Sequence, residues 1–387
     1  MMPNRFDALP TATWPRLRAL LDGHAAGGEV INMTIGEPKH KFPEWVGPTL
    51  NDALGQFNSY PDNNGTLELR GSISGFLQRR YGIDLDPGAQ IMALNGTREG
   101  LFNAVVALCP TGSKILIPNP FYQVYTVAAM AVGAQSVYLP AHAQTGFLPD
   151  LDALTPAELN ETSAFFLCSP SNPQGAVASA EYWARLITLA ETYDFKIFAD
   201  ECYSEIYRNA PPPGALEVAA RMGADPEWVV AFHSLSKRSN LPGLRSGFVA
   251  SGRKNISRIK QLRAYAGCPI AGPIQHVSAK VWADEDHVVA NRQLYCGKFE
   301  AADHIFAEIQ SYNSPEAGFF LWLPVEDDEA AAVKLWTETG VRVLPGSYLG
   351  QVANEQNPGS GYVRVALVAP KEEMQRGLTL MRDCLYK

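Results

Sequence analysis

The densest group of reactive side chains is Ser234-Leu235-Ser236-Lys237, followed by Arg245. A lysine flanked by hydroxyls and trailed by a guanidinium suits a phosphate-bearing aldehyde. The amine attacks the aldehyde carbon to give a Schiff base, while Ser234, Ser236 and Arg245 hold the phosphate. Arginine fits that task because its fork matches phosphate oxygens bidentately. Alone, such a string is more often a basic surface turn than a catalytic one. Asp200 ends the apolar run Lys196 to Ala199, at the strand end where α/β ligands bind. It is either a helix cap or a carboxylate that keeps a pyridine nitrogen protonated. Tyr203 follows at a distance from which its hydroxyl reaches the same ring. Asn172, within Ser169-Pro170-Ser171-Asn172-Pro173-Gln174-Gly175, either marks a turn or donates its amide to a ring oxygen. Asn95-Gly96-Thr97-Arg98-Glu99 joins a strand to a helix, where backbone amides bind phosphate.

Those residues need a scaffold, and the hydropathy pattern supplies one. Gln90–Leu94, Lys114–Pro118, Ser136–Leu139, Ala164–Cys168, Lys196–Ala199 and Trp228–Phe232 read as short apolar strands. Between them lie helical stretches: Arg98–Leu108, a run ending at Ala131, and Tyr182–Tyr193 with Ser179 as N-cap. Apolar strands separated by helices predict a mostly parallel sheet covered on both faces. The next strand, Leu244–Ala250, follows Ser234 too closely for a parallel crossover, which predicts one antiparallel strand. The C-terminal third predicts a smaller α+β unit with strands Phe319–Val325, Val341–Leu344 and Tyr362–Val368. A last helix starts at Lys371 and carries Met374, Leu378, Met381 and Leu385 on one face. The segment before Pro43 lacks sheet-like periodicity and is expected to dock on that unit. The expected division is 1–43, 44–275 and 276–387.

The chain has 387 residues, enough for two or three domains and a sizeable core. Its 32 basic and 40 acidic residues give a net charge of −8, a poor match for nucleic acid or anionic lipid. The basic run Arg253 to Arg263 is read as a solvated helix face. The acidic run Glu326 to Glu329 is read as stabilising the start of a helix. Six scattered cysteines and dispersed histidines show neither redox nor metal-ligand spacing, so no metal is expected. The stretch Tyr125 to Val132 is too short to span a bilayer, and no signal-like start precedes it. A reducing cytoplasm is the expected compartment.

Taken together the motifs resemble the class I aminotransferases of fold type I, which use pyridoxal 5'-phosphate (PLP). The resemblance runs through Ile35-Gly36-Glu37-Pro38, Tyr60-Pro61, Gly65 with Leu69-Arg70, Pro120-Phe121-Tyr122, Asn172-Pro173, Asp200-Glu201-Cys202-Tyr203, Ser234 to Gly247, Pro345-Gly346 and Arg364. It implies an α/β fold with a mostly parallel sheet of the seven-stranded type, one antiparallel strand and a smaller α+β domain. It also implies roles. Lys237 would form the Schiff base and move the proton, Asp200 would pair with the pyridinium, and Asn172 and Tyr203 would bond the ring oxygen. Tyr122 would stack on the ring, though it also reads as ordinary core. Gly96, Thr97, Arg98, Ser234, Ser236 and Arg245 would hold the phosphate. Tyr60 would reach the phosphate of a partner subunit, making the active unit a homodimer. Arg364, which also reads as a structural ion-pair residue, would clamp the substrate α-carboxylate with help from the Gly36 backbone. Ser246 departs from the pattern, standing where the family has an apolar residue.

Finer motifs resemble bacterial N-succinyldiaminopimelate aminotransferases: Gly36-Glu37-Pro38-Lys39-His40, Asn119 to Tyr125, Glu201 to Tyr207 and Ser234 to Asn240. That resemblance implies glutamate as donor and a role in lysine biosynthesis. Lys39 is expected either to bind a distal carboxylate of the substrate or to be a solvated loop residue. Aspartate, aromatic or alanine-type transamination and C–S lysis remain open on the same residues, as does a non-catalytic PLP-binding protein.

Overall fold

The computed structural model describes residues 6–7, 9–353 and 355–387. Its strands, in chain order, are β1 (Ile31–Asn32), β2 (Ile91–Leu94), β3 (Lys114–Asn119), β4 (Gln135–Pro140), β5 (Thr162–Cys168), β6 (Lys196–Asp200), β7 (Val229–Ser234), β8 (Gly247–Ala250), β9 (Phe320–Pro324), β10 (Val341–Arg342), β11 (Leu344–Pro345) and β12 (Tyr362–Ala366). Alternation of side chains along the strands explains how the main sheet is buried on both sides. On β5, β6 and β7, Phe165, Ile197 and Val229 enter one core with Phe76, Trp183 and Trp282. Their successors Phe166, Phe198 and Val230 enter the opposite core with Leu101, Tyr125 and Ile259.

Seven strands form this sheet in the order β2-β8-β7-β6-β5-β3-β4. All neighbours are parallel except β8, which runs antiparallel to β2 and β7. The antiparallel strand is therefore present, but shorter than predicted. Pro242–Leu244 coils into a 3₁₀ turn and Arg245 takes a left-handed φ of 56°, so pairing starts only at Gly247.

A second sheet has the order β11-β12-β9, antiparallel throughout. It buries Phe320, Val363 and Val365 against Met374, Leu378 and Met381 of the helix Lys371–Leu385. Three expectations are corrected here. Val341–Leu344 is two strands rather than one: β10 pairs with β1, and β11 pairs with β12. The segment before Pro43 does contribute a strand, β1, whose two residues are too few for periodicity to reveal. The basic run is not uniformly solvated, because Arg263 is wholly buried. Its guanidinium donates to Glu99 at 2.6 Å and to the Ala93 carbonyl at 3.0 Å. A buried cation held this way is paired and hydrogen-bonded, the condition under which burial is tolerated.

Ahead of β1, the helix Thr13–Leu21 packs Leu17 and Leu21 on Trp336, Leu344 and Tyr348. Asp327 caps the helix Asp328–Thr339 by accepting from Ala330 N at 2.8 Å, as the acidic run suggested. Among the described residues, no helix is long and apolar enough to cross a membrane.

Candidate active site

The carboxyl ends of β2, β5, β6 and β7 lead to Gly96, Asn172, Asp200 and Ser234, and Arg245 lies two residues before the reversed strand β8. Sheet topology thus gathers residues that are scattered over 150 positions of sequence, Asn95 O accepting from Arg245 Nη2 at 3.3 Å.

Gly96 sits at φ 80° before the helix Thr97–Leu108, and no side chain caps that helix. Its first-turn amides are left for an outside acceptor. A Cβ at Gly96 would collide with the Arg245 guanidinium, so the small residue is what permits the close approach. Ser234 Oγ donates to Ser236 Oγ at 2.9 Å and accepts from Ser236 N at 3.1 Å. Ser246, the departure from the pattern, is fully buried, and its Oγ has no partner among the described residues. An apolar residue would satisfy that position without an orphaned hydroxyl.

Asp200 is buried, and burial pushes its carboxyl above the usual range. Opposing this, Tyr125 donates its hydroxyl to Oδ2 at 2.7 Å and Cys202 N donates to Oδ1 at 3.4 Å. Tyr125 was not predicted as a site residue. It lies in an apolar run and stacks on Phe166 at 4.3 Å, so by composition it reads as core. Cys202 in turn touches Thr97, Sγ to Oγ1 3.1 Å. Arg98 donates to the Tyr122 hydroxyl at 2.5 Å, and the Tyr122 ring meets Tyr125 edge-on at 5.9 Å.

Lys237 follows Ser236 in the short helix Leu235–Arg238 and donates Nζ to the Gly36 carbonyl. The amine lies 5.3 Å from the centroid of the Phe319 ring, which Tyr203 also contacts edge-on at 5.2 Å. Burial lowers the Lys237 pKa to about 8, assisted by the Arg364 and Arg245 charges. Gly36 packs so tightly on Phe320 that a Cβ would come within 2.5 Å of its ring.

Arg364 projects from β12, 4.4 Å from the centroid of the Phe320 ring. It donates to Asn172 Oδ1 at 2.9 Å and to Thr34 O at 2.7 Å, while its buried Nε has no partner among the described residues. Occupation of Oδ1 leaves the Asn172 amide hydrogens for another acceptor. Among the described residues Arg364 makes no ion pair; it faces an amide and a carbonyl oxygen, and only two of its five N–H donors are taken up.

Two predicted residues stand apart. Tyr60 is fully exposed. Lys39 is half exposed and makes only a 3.9 Å ion pair with Glu373.

Residues 28–379 match the family profile described as "Aminotransferase class I and II". The chain belongs to that family. It is 30% identical over 381 residues to an LL-diaminopimelate aminotransferase of Syntrophobacter fumaroxidans, covering 96% of this chain and 95% of that one. Its fold superposes on an aminotransferase from Neisseria meningitidis with a TM-score of 0.94 and 36% identity, over 99% of each chain. A probable N-succinyldiaminopimelate aminotransferase of Thermus thermophilus matches with a TM-score of 0.87 and 25% identity, over 97% of this chain and 100% of that one.

The protein is thus a PLP-dependent aminotransferase. The site's chemistry fits the cofactor. Uncapped helix amides beside an arginine and two hydroxyls suit a dianionic phosphate, and a buried carboxylate suits a protonated ring nitrogen. When bound, PLP supplies an electron-accepting ring that weakens the substrate Cα–H bond and carries the amino group between an amino acid and a 2-oxo acid.

Proposed function

We propose that the chain transaminates a diaminopimelate-class substrate, the N-succinylated 2-amino-6-oxopimelate, with glutamate as donor. The Gly36–Lys39 turn carries this reading. Its Gly36 carbonyl touches the Lys237 amine, and Lys39 on the same turn is a half-exposed cation with only a distant acidic partner. A cation there suits the distal carboxylate of a long substrate. The Thermus thermophilus likeness supports the succinylated form. The Syntrophobacter fumaroxidans relative favours a second reading, free LL-diaminopimelate.

In this reading Lys237 holds the cofactor and, once freed, moves the proton at the substrate Cα as base and then acid. Asp200 pairs with the ring nitrogen, and Asn172 and Tyr203 donate to the ring oxygen. Tyr122 covers the ring. Gly96, Thr97, Arg98, Ser234, Ser236 and Arg245 take the phosphate. Arg364 and the Gly36 backbone take the α-carboxylate. Tyr60 completes the site of a second copy. Asn63 Nδ2 bonds Arg263 O at 3.0 Å, which brings the segment bearing exposed Phe57 and Tyr60 beside exposed Tyr265. Such an apolar face suits a homodimer. We also take 44–275 and 276–387 as large and small domains, with 1–43 joining the latter.

A panel of 2-oxo acids offered to the aminated enzyme tests the substrate. Succinylated aminooxopimelate should show the highest kcat/KM, and Lys39→Ala should lower it about tenfold, the effect of one charge-assisted contact. Glutamate turnover should hardly change. Equal loss for both substrates, or none, refutes the role of Lys39. Preference for the unsuccinylated 2-amino-6-oxopimelate, the oxo acid that amination converts to diaminopimelate, establishes the second reading.

A further inference from the structure

The segment Arg238-Ser239-Asn240, directly after Lys237, has no role in the reading above, yet all three side chains are buried. Lys237 sits in a helix of only four residues, and Asn240 turns the chain left-handed at φ 53°. So short a helix has little stability of its own, and its last carbonyls lack intrahelical partners. Something else must fix the backbone from which the reactive amine projects.

The start of the long helix Asp286–Ile305 does so, side chain by side chain. Asn291, itself buried, donates Nδ2 to the carbonyls of Lys237 and Arg238, both at 3.3 Å. Its Oδ1 accepts from Asn240 Nδ2 at 2.9 Å. His287 Nε2 meets Ser239 Oγ at 2.8 Å, while its Nδ1 bonds Asp284 Oδ1. The carboxylate acceptor makes Nδ1 the protonated nitrogen, so Nε2 accepts the Ser239 hydroxyl proton. Glu285 closes the group by accepting from Arg238 Nη2 at 2.8 Å.

We propose that Asn291 and His287, acting through Asn240, Ser239 and the Lys237 carbonyl, are positioning residues that set where the Lys237 amine sits against the cofactor. The proposal rests on the reading of Lys237 as the residue that holds PLP. A direct contact of either residue with the cofactor is not required. Five hydrogen bonds from one helix start onto three consecutive residues and the lysine carbonyl do the work that a longer helix would otherwise do.

The test uses the full-length, PLP-loaded protein and the variants Asn291→Ala, Ser239→Ala and Ser239→Thr. Two properties are measured: the pH midpoint of the visible absorbance change, and PLP affinity by titration of the stripped protein. Asn291→Ala should move the midpoint by about half a pH unit. It should weaken PLP binding about fivefold, the worth of one hydrogen bond. Ser239→Ala should shift both in the same direction by less, and Ser239→Thr, which keeps the hydroxyl, should restore them. A residue that merely stabilises the fold lowers Tm without moving the midpoint. Folded variants with the parental midpoint and affinity overturn the proposal. Should Asn291→Ala not fold, the Ser239 pair decides by the same criterion. Loss of the lysine reading looks different: the absorbance change would persist in Lys237→Ala.

Discussion

Two turns face the Lys237 amine, and they are built differently. The turn after β6, from Asp200 to Glu205, has its acidic groups buried and partnered. Asp200 is held by Tyr125. Glu201 accepts from Ala215 N at 2.8 Å and lies 3.2 Å from His233. Glu205 bridges Arg80 and Arg292 at 2.7 and 2.9 Å. The turn from Gly36 to His40 is looser: Glu37 and Lys39 are exposed, and the buried His40 Nε2 has no partner among the described residues. The first turn serves chemistry common to the family and is rigidly over-determined. The second, proposed to border the variable part of a substrate, has fewer partners and is left adaptable. Preorganised polar groups in a dry site are worth more than exposed ones, so losses should be larger on the first side.

The largest expected effect lies at Lys237, the residue both turns face. Capture of PLP by the stripped protein requires the neutral amine. With the pKa lowered to about 8, the capture rate should rise about tenfold per pH unit below 8 and level off above it. An ordinary lysine would keep accelerating toward ~10.4. A stopped-flow pH series distinguishes the two, and Lys237→Ala should capture nothing covalently. The next effect is at Tyr125. Tyr125→Phe removes one donor from a buried carboxylate, worth about 1.5–3 kcal/mol. Asp200 then rises further toward the protonated form and, in the proposed role, would hold the ring nitrogen less well. PLP affinity and kcat should each fall about tenfold, while KM for glutamate stays near its parental value. A variant that binds PLP normally would show that the Tyr125 hydroxyl does not help hold Asp200 for the cofactor.

Much of this was legible in the sequence because the chemistry sits where strands end. Lys196–Asp200 and Val229–Ser234 are apolar runs stopping at a polar residue, and that boundary places Asp200 and Ser234 without knowledge of packing. The antiparallel β8 followed from connection length alone. Tyr125 was hidden because burial and a hydrogen bond to Asp200 leave the same trace in composition as core packing. Arg263 was misread for the complementary reason: a charge on an amphipathic helix reads as solvated unless its buried partner, Glu99, 164 positions away, is known. Strand β1 and the division of β10 from β11 are set by pairing across more than 300 positions, as Ile31 with Val341 shows, and local pattern carries no record of it. The roles proposed for Tyr60 and Lys39 would depend on a second copy and on a substrate, neither of which local sequence describes.

The smallest expected effect lies beneath the looser turn. Lys298 is buried, donates Nζ to the Leu367 carbonyl at 2.7 Å, and stands 5.1 Å from the centroid of the Tyr295 ring. His40 packs edge-on to that same ring at 5.4 Å. Burial lowers the Lys298 pKa to about 7, with the Lys39 charge adding to it. Well below pH 7 both folded and unfolded chains carry this ammonium, so the native state bears its full desolvation cost. Between about 7 and the unfolded value near ~10.4, the unfolded chain binds the extra proton, and stability attributable to this group rises with pH. Lys298→Met removes the titration and also orphans the Leu367 carbonyl, a loss that does not vary with pH. The difference in Tm, variant minus parent, should therefore be most favourable at pH 6 and decline by a few degrees toward pH 10. Differential scanning calorimetry of the stripped protein measures it. A difference that is flat across this range would mean that the ammonium already has a counter-charge, and that the looser turn is as fully partnered as the one after β6.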